Sequence, residues 1–253
     1  MQSRSEKLDH ALSFGGVADV YEASRPGYPM DAVTWLVRQG ESRVIDVGAG
    51  TGKLTRALTS AGHEVIAVDP SPEMLEVLRN TVPGVETLVG TGERMPLPDE
   101  SADAVTFAQA WHWVDAPIAS AEVARVLKPG GHLGLIWNFR DDRVGWVREL
   151  SVAMHADGDQ YTDGMDDPHV HAPFGEPPFE EPERAQFEWS QPYTLEGMLD
   201  LVRSRSYYAV MNTEQKRETL DSVRTLLEKQ RQESGDETIS LPYVTMAFRY
   251  RKP

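Results

Sequence analysis

Residues 44–54 read VIDVGAGTGKL and place three glycines directly after a short apolar run. The β-branched residues of VIDV are typical of a buried strand. Gly48, Gly50 and Gly52 follow at alternate positions, where glycine lets backbone N–H groups approach a ligand at the start of a helix. The stretch therefore predicts a strand, a ligand-binding loop and a helix in that order.

Apolar strands and helices continue to alternate along the next ninety residues, which indicates an α/β fold with a parallel sheet covered on both faces. Ser71 is a plausible N-cap for one of these helices, with Pro72 at its first position. The predicted strands are 44–47, 64–68, 86–89, 104–109 and 132–137, and the predicted helices are 31–39, 54–61, 72–81 and 116–127.

Beyond residue 138 the alternation changes. Residues 155–185 are rich in Asp, Pro, Gly and His and predict a long surface excursion. After them the pattern favours strands at 187–189 and 241–250 and helices at 194–203 and 213–232. We expect the two strands to close the sheet at its edge.

The composition narrows the class of protein. The chain has 253 residues, of which 40% are hydrophobic and 26% charged, no cysteine and a net charge of −15. This acidity argues against a nucleic-acid partner, because binding phosphate backbones requires Lys and Arg. Membrane spans need about 20 apolar residues, and no such run is present. We expect a cytoplasmic protein without disulfides that neither binds nucleic acid nor enters a membrane.

Two acids flank the glycine loop in a way that suggests its ligand. Asp46 lies inside the strand, where a carboxylate needs a cationic or hydrogen-bonding partner, and an α-amino group would serve. Asp69 ends the next strand at the position of an acid that binds ribose hydroxyls. Simpler alternatives are that Asp46 caps nearby backbone N–H groups and that Asp69 initiates a turn.

The loop spacing fits neither a dinucleotide fingerprint nor a Walker loop. The third glycine, Gly52, arrives one residue early for G-x-G-x-x-G, and Lys53 is followed by Leu54 rather than Ser or Thr. An amino-acid group and a ribose together suggest S-adenosylmethionine. A nicotinamide-dependent oxidoreductase is disfavoured by the same spacing.

Four segments carry a family resemblance: VIDVGAGTGKL, VIAVDPSPEML, VGTGERMPLPDESADAVTFAQAWHWVD and ARVLKPGGHLGLIWNFRD. With them the chain resembles the class I S-adenosylmethionine-dependent methyltransferases over about residues 43–141. YEASRPGYP and QAWHW are further similar to the trans-aconitate methyltransferase-like branch, whose members act on small molecules. The resemblance implies a Rossmann-like fold, with a mostly parallel seven-stranded sheet and an antiparallel C-terminal strand.

The resemblance also implies a division into parts and a cofactor, S-adenosylmethionine. We expect one methyltransferase domain with a cap at 1–30, a cofactor-binding core at 31–141, a substrate-side excursion with helices at 142–240 and a closing strand at 241–253. The residues it implies for the cofactor are Tyr21, Arg25, Asp46, Gly48, Ala49, Gly50, Asp69, Pro70, Met74, Thr91, Gly92, Glu93, Gln109 and Ala110. Met74 is equally suited to the core.

One position departs from the family pattern. Many relatives read G-D-A-E where this chain has Gly90, Thr91, Gly92 and Glu93. The acid that usually accepts a hydrogen bond from the adenine amino group is thus replaced by Thr91, whose hydroxyl or a backbone carbonyl would have to take its place.

The acceptor side centres on His112, which follows the fourth strand of the core. Methyl transfer from a sulfonium is an in-line displacement, so positioning and exclusion of water are the main tasks. A carboxylate acceptor is already nucleophilic, whereas a hydroxyl acceptor requires a general base, and His112 is the candidate. Orienting the substrate or packing is the alternative role for this histidine.

Further residues are assigned to the substrate because of their place beside the expected cofactor. Trp111 and Trp113 would form an aromatic wall or else pack in the core. Arg25 suits a carboxylate of the cofactor or of an acidic substrate, because its guanidinium matches that group bidentately. The remaining substrate candidates are Tyr28, Asn138, Arg140 and Tyr207.

The histidines and aspartates of the excursion do not predict a metal. His155, His169 and His171 with Asp157, Asp163, Asp166 and Asp167 fit no familiar site spacing, and a solvated acidic surface explains them. We therefore predict an enzyme that methylates a small molecule, by preference at oxygen, without a metal. A catalytically inactive cofactor-binding protein is the alternative, and the sequence does not determine the oligomeric state.

Overall fold

The structure is a computed structural model that describes residues 25–40, 43–154, 179–205, 208 and 210–253. Seven strands form one sheet in the order β3-β2-β1-β4-β5-β7-β6. They are β1 Arg43–Val47, β2 Glu64–Asp69, β3 Glu86–Val89, β4 Ala102–Ala108, β5 Leu127–Arg140, β6 Glu183–Tyr193 and β7 Ile239–Arg251.

All neighbouring strands from β3 to β5 pair in parallel, whereas β7 runs antiparallel to both β5 and β6. This confirms the predicted fold: a mostly parallel seven-stranded sheet with an antiparallel C-terminal strand. The order reverses between β1 and β4, which is where open α/β sheets bind ligands, beyond the carboxyl ends of the strands.

Helices cover both faces of this sheet. They are α1 Met30–Leu36, α2 Lys53–Ser60, α3 Pro72–Thr81, α4 Ala116–Val126, α5 Gly145–Met154, α6 Leu195–Arg203 and α7 Thr213–Ser234. The Ser71 cap is confirmed, because its Oγ accepts a hydrogen bond from the Met74 N–H at 3.2 Å. Asn212 and Gln215 form a capping box that begins α7.

Among the described residues the core has four apolar clusters: one on each face of the sheet, a third under the C-terminal helices and a small fourth between α3 and the glycine loop. Ile45, Phe107 and Leu135 belong to the first cluster, and Leu36 and Leu58 to the second. The third joins α5, α6 and α7 to the ends of β6 and β7. The parallel strands β1, β2, β4 and β5 are therefore largely buried on both sides, as their continuous apolar runs predict, whereas the edge strand β3 is partly exposed.

Three elements differ most from the sequence prediction: α5, β6 and β5, which covers 127–140 rather than 132–137. Helix α5 was not predicted, and β6 extends over eleven residues rather than the three at 187–189. Strand β6 is an edge strand in which exposed and half-buried residues alternate, so the apolar signal of its ends is weak. The predicted excursion is correspondingly too long, since residues 183–185 lie in β6, and 155–178 lie outside the described residues.

Within the part of the chain that the structure describes, no helix is both long and apolar enough to cross a membrane.

Candidate active site

The glycine loop between β1 and α2 needs glycine at its first and last positions for different steric reasons. Gly48, Gly50 and Gly52 all have positive φ angles, of 66°, 54° and 93°. A Cβ on Gly48 would lie 2.6 Å from the Ala110 Cβ, and one on Gly52 would lie 2.8 Å from the Leu78 Cγ. Because these glycines have no side chain, the ends of β1 and β4 can approach each other and α3 can pack under the loop.

Gly50, at the middle of the loop, faces open space instead. A Cβ there would have no atom within 4 Å. The Gly48 and Ala49 N–H groups donate to the Val68 carbonyl at 2.8 and 3.2 Å, so neighbouring backbone is fixed to β2. The loop thus leaves at Gly50 a stretch of backbone that a ligand can approach closely, which fits the predicted cofactor contact.

Asp46 lies under this loop and is completely buried. Its carboxylate accepts hydrogen bonds from the Thr55 hydroxyl at 2.6 Å and the Thr106 hydroxyl at 3.2 Å. Burial raises the pKa of the Asp46 carboxyl to about 7, and the bonds from the two threonines, including the Thr55 backbone N–H, oppose that rise. The hydrogen-bonding partners that the sequence required are these threonines, and Thr55 connects Asp46 to the first turn of α2.

Sequence reasoning missed both threonines. Thr106 interrupts the apolar run AVTFA within β4, and Thr55 lies in the first turn of α2 and is equally buried. A polar residue inside a buried strand needs a hydrogen-bond partner. That rule could have identified Thr106, whereas pairing Thr55 with Asp46 required the geometry of the loop.

Asp69, at the end of β2, connects the loop to the helix that follows it. Its carboxylate accepts from the Gly50 N–H at 2.8 Å and from the Ser71 N–H at 2.8 Å. Burial raises the pKa of Asp69, while these two backbone N–H groups favour the charged form. The side chain is 7% exposed, and lies beside the loop where the sequence places ribose contacts.

The adenine side of the predicted site consists of Pro70, Met74 and the turn that follows β3. Met74 is buried and Pro70 is half-buried. The Gly90 N–H donates to the Asp69 carbonyl at 3.2 Å, which holds this turn against the end of β2. The elements that carry the ribose and adenine candidates are therefore joined through backbone hydrogen bonds.

Thr91 has its backbone engaged but its side chain half-exposed in this turn. The N–H and carbonyl of Thr91 both bond to Arg94 at 3.1 Å, which fixes the backbone of this turn. Glu93 accepts a hydrogen bond from the Asp115 N–H at 3.0 Å and thereby joins the turn to the start of α4. A Cβ on Gly92 would lie 2.8 Å from Val114, so glycine is needed there.

A charged network holds the chain that follows this turn. Arg125 of α4 donates to the Met95 and Leu97 carbonyls at 3.2 and 2.9 Å. It also pairs with Glu122 and Asp99 at 2.7 and 2.6 Å. The sequence did not predict this network, although the i,i+3 spacing of Glu122 and Arg125 was a visible signal for the pair.

The three residues of the WHW segment, which follows the carboxyl end of β4, differ in their exposure. Trp111 is 1% exposed and meets Phe107 edge to face, with ring centroids 4.8 Å apart, so it takes the packing alternative. His112 is exposed, and its ring lies 4.6 Å from that of the half-buried Trp113. Gln109 adopts a positive φ of 51°, which is uncommon for a residue other than glycine and occurs at functional sites. Next to it, Ala110 is buried against Gly48.

The substrate candidate Asn138, at the end of β5, connects two parts of the structure. Its amide donates to the Gly27 carbonyl at 2.8 Å and accepts from the Thr245 hydroxyl at 2.6 Å. Arg25 donates to the Ser204 carbonyl at 3.1 Å. The segment 25–27 is therefore bonded both to the end of β5 and to the end of α6. Arg140 points elsewhere, toward the Ser151 hydroxyl of α5 at 3.2 Å.

A pocket of about 490 Å³ adjoins this segment. We call it the basic pocket. The residues that define it here are Arg25, Tyr28, Lys53, Arg56, Tyr193 and Gly197. The sequence predicted Arg25 and Tyr28 as site residues but gave no reason to add the other four, because they come from three separate elements.

Several predicted residues lie outside the described residues: Tyr21, Tyr207 and the histidines and aspartates of 155–178. Among the residues that are described, no group of three or more His, Asp or Glu could hold a metal ion.

Comparisons with known proteins place these features in context. A family model described as a methyltransferase domain matches residues 45–135. An uncharacterised methyltransferase of Mycobacterium tuberculosis is 48% identical over 243 residues, which are 96% of this chain and 97% of that protein. The malonyl-[acyl-carrier protein] O-methyltransferase of Serratia marcescens is 31% identical over 161 residues, 61% of each chain.

Among solved structures, a putative type II methyltransferase from Anaeromyxobacter dehalogenans has the same fold. The two chains superpose with a TM-score of 0.66 and are 24% identical. The match covers 90% of this chain and 96% of the Anaeromyxobacter dehalogenans chain.

Proposed function

The chain belongs to the class I S-adenosylmethionine-dependent methyltransferases, and from that premise we propose that it methylates a small molecule at a carboxylate or hydroxyl oxygen. The observation that carries the proposal is the basic pocket, whose volume of about 490 Å³ lies in the range of small-ligand sites. The net charge of −15 further argues against a nucleic-acid acceptor.

The oxygen assignment is supported by two observations. An exposed histidine, His112, follows the carboxyl end of β4, where an imidazole can take the proton of a hydroxyl acceptor. The relative from Serratia marcescens, which matches 61% of this chain, is named an O-methyltransferase. A carboxylate acceptor would need no base and would leave His112 the task of orienting it.

In this proposal residues at the carboxyl ends of β1, β2 and β4 would hold the cofactor. S-adenosylmethionine supplies an activated methyl group on its sulfonium when bound. Gly50 offers backbone with open space beside it, and Asp69 offers its carboxylate to the ribose hydroxyls. Asp46 supports the loop from beneath, because its carboxylate is already bonded to two threonine hydroxyls.

The chain's own contribution to catalysis is then to position the acceptor and exclude water. Gln109 and Ala110 follow the end of β4, with Ala110 beside Gly48, so they would contact the bound cofactor. Trp113 and Tyr28, both half-buried, line the acceptor side. Fixing the acceptor in line with the methyl group lowers the barrier of such a displacement, because the entropy of bringing the two reactants together is lost on binding.

The test is methyl transfer from radiolabelled S-adenosylmethionine to a panel of metabolites, together with calorimetric binding of S-adenosylhomocysteine. We expect label in a small-molecule product. Alkaline hydrolysis of that product releases methanol from a methyl ester and leaves a methyl ether intact, which distinguishes the two kinds of oxygen. A product methylated on nitrogen or carbon would overturn the oxygen assignment.

The alternative of an inactive cofactor-binding protein has no observation in its favour. It would be supported by tight S-adenosylhomocysteine binding without transfer to any member of the panel.

A further inference from the structure

A buried threonine in β7 joins the two neighbouring strands through its side chain. Thr245 is completely buried and lies opposite Asn138 of β5 in the strand register. Its hydroxyl donates to the Asn138 Oδ1 at 2.6 Å and accepts from the Trp189 Nε1 of β6 at 2.8 Å. The Asn138 amide donates in turn to the Gly27 carbonyl at 2.8 Å. We call Trp189, Thr245, Asn138 and Gly27 the relay, because three hydrogen bonds in series connect the edge strand to the segment before α1.

The chemistry of its two ends fixes the direction of every bond in the relay. An indole N–H only donates, and a backbone carbonyl only accepts. The Thr245 hydroxyl accepts from the indole and gives its single proton to the Asn138 Oδ1, which orients the amide nitrogen toward Gly27. No group in this series can be reversed. Loss of one member therefore leaves a donor or an acceptor without its partner.

The segment 25–29, which the relay reaches, is poor in hydrogen-bonding and packing groups of its own. Pro26 and Pro29 carry no backbone N–H, so the segment cannot join a strand ladder at those positions. Among the described residues, no atom lies within 4 Å of the place that a Cβ on Gly27 would take. Tyr28 packs at the border of the apolar cluster on the α1 side. The Asn138 amide thus holds the backbone where its surroundings are open.

The relay joins two walls of the basic pocket without lining it. Gly27 and Tyr28 line the pocket on one side, and residues 191–194 at the end of β6 line it on another. Trp189 lies two residues before this part of β6, and Thr245 is enclosed within the sheet. Neither of these two lines the pocket. The relay therefore sets the position of one wall relative to the other through residues that lie behind them.

We propose that Thr245 and Trp189 are positioning residues of the methyl transfer, which act through Asn138 to hold Gly27 and Tyr28 in place. The inference rests on the proposed function, in which Tyr28 lines the acceptor side. The relay lies on β5, β7 and β6, whereas the cofactor candidates of the glycine loop follow β1. We therefore expect breaking the relay to impair use of the acceptor and to leave cofactor affinity unchanged.

The first experiment compares two substitutions of Thr245. T245V removes the hydroxyl, whereas T245S keeps it and removes the methyl group. T219V is the control, because it makes the same substitution at another buried threonine, on α7. With the acceptor that the metabolite panel selects, we expect T245V to lower kcat/KM at least tenfold and both T245S and T219V to change it less than twofold. Affinity for S-adenosylhomocysteine should stay within threefold in all three variants.

Rescue by serine separates positioning from stability. T245S loses a buried methyl group, so its melting temperature should fall although the relay is kept. An unchanged kcat/KM in T245V, or an equal loss in T245S, would overturn the proposal. A tenfold loss of S-adenosylhomocysteine affinity in T245V would overturn it too, because the effect would then belong to the cofactor.

The second experiment breaks the relay at its other end. W189F keeps a ring that can stack on Tyr243, as Trp189 does with centroids 5.3 Å apart, but it has no N–H to donate to Thr245. We expect W189F to lower kcat/KM, and T245V/W189F to be no worse than T245V, because the relay is already broken. Independent losses that multiply in the double variant would overturn the relay.

The third experiment follows Tyr28 without any acceptor. In protein labelled with 3-fluorotyrosine, Y28F identifies the fluorine NMR signal of Tyr28 among those of eight tyrosines. We expect this signal to move in T245V and to keep its wild-type position in T245S and T219V. An unmoved signal in T245V would overturn the relay whatever the activity. If the wild-type chain methylated no acceptor, the proposed function would fail, and the Tyr28 signal would still test the relay.

Discussion

Asp69 accepts a hydrogen bond from the backbone N–H of Gly50 at 2.8 Å, so the end of the second strand fixes the shape of the glycine loop. The same carboxylate also accepts from the Ser71 N–H at the start of α3. One side chain thereby couples the loop, the second strand and the helix that follows it. Its proposed contacts with ribose would add to this structural role.

Replacing Asp69 by alanine tests both roles. D69A removes two charge-assisted hydrogen bonds, which contribute about 1.5–3 kcal/mol each, so we expect a lower melting temperature. We also expect S-adenosylhomocysteine affinity to fall by about 10- to 100-fold, measured by calorimetry. D69N is the matched variant, because its carbonyl oxygen can still accept one of the two N–H groups. Unchanged affinity in D69A would remove Asp69 from the cofactor site.

Asp46 predicts a pH dependence of stability. Burial raises the pKa of this carboxyl from 3.8 to about 7 in the folded state. Between these values the folded protein keeps a proton that the unfolded chain has released, so the contribution of Asp46 to the free energy of unfolding falls as the pH rises from about 4 to about 7. D46N cannot titrate and should escape this loss.

Urea denaturation of wild type and D46N between pH 4 and pH 8 measures the effect. We expect the difference in unfolding free energy to move steadily in favour of D46N across that range. D31N, at an exposed position of α1, serves as the control and should follow the wild-type profile. Parallel profiles for D46N and wild type would contradict the prediction.

Gly48 and Gly50 should respond differently to alanine. G48A places a Cβ 2.6 Å from that of Ala110 and has a positive φ, so we expect a loss of stability of about 2 kcal/mol or more. G50A has the positive φ but open space, and we expect about 1 kcal/mol. Its Cβ would instead occupy the space beside the loop and weaken S-adenosylhomocysteine binding.

The double variant G48A/A110G provides the internal check, because removing the Ala110 Cβ relieves the steric contact but not the backbone strain. We expect it to recover part of the stability lost in G48A. Thermal unfolding with and without S-adenosylhomocysteine measures both effects. Equal losses of stability in G48A and G50A would show that the Ala110 contact is unimportant.

Replacing His112 should change the turnover number but not the affinity for the cofactor. If the acceptor is a hydroxyl, H112A and H112Q should each lower kcat by about 10²- to 10⁴-fold, the usual contribution of a general base. If the acceptor is a carboxylate, the loss should be much smaller, because no proton has to be removed. In either case we expect S-adenosylhomocysteine affinity to stay within threefold of wild type.

W113F is the companion variant, since it keeps an aromatic ring beside the imidazole. We expect it to change KM for the acceptor more than kcat. Full turnover in H112A with every acceptor would take His112 out of the site.

Local chemistry explains why so much of the fold could be predicted from sequence. Apolar runs predict the strands from β1 to β5, and Ser71 with Pro72 predicts the start of α3. The glycine loop and the two acids at the strand ends are likewise local signals. Each depends on residues a few positions apart, whose preferences act before any tertiary contact forms.

The contacts that complete the candidate site are of another kind. Thr106 lies 60 residues from Asp46, to which it donates a hydrogen bond, and the Arg25 guanidinium donates to a carbonyl 179 residues away. Trp111 is buried in the core, whereas its neighbour His112 is exposed. The short turn after β4 directs successive side chains to different sides.

The sequence by itself thus determined the parallel sheet, its glycine loop and the class of cofactor, because hydrophobic periodicity and the residues at strand ends depend only on short segments of the chain. Only the tertiary structure decided what Asp46 bonds to, which residue of WHW is accessible and which cations share a pocket. Those outcomes depend on packing between distant elements, where burial and close approach select the partner of each polar group.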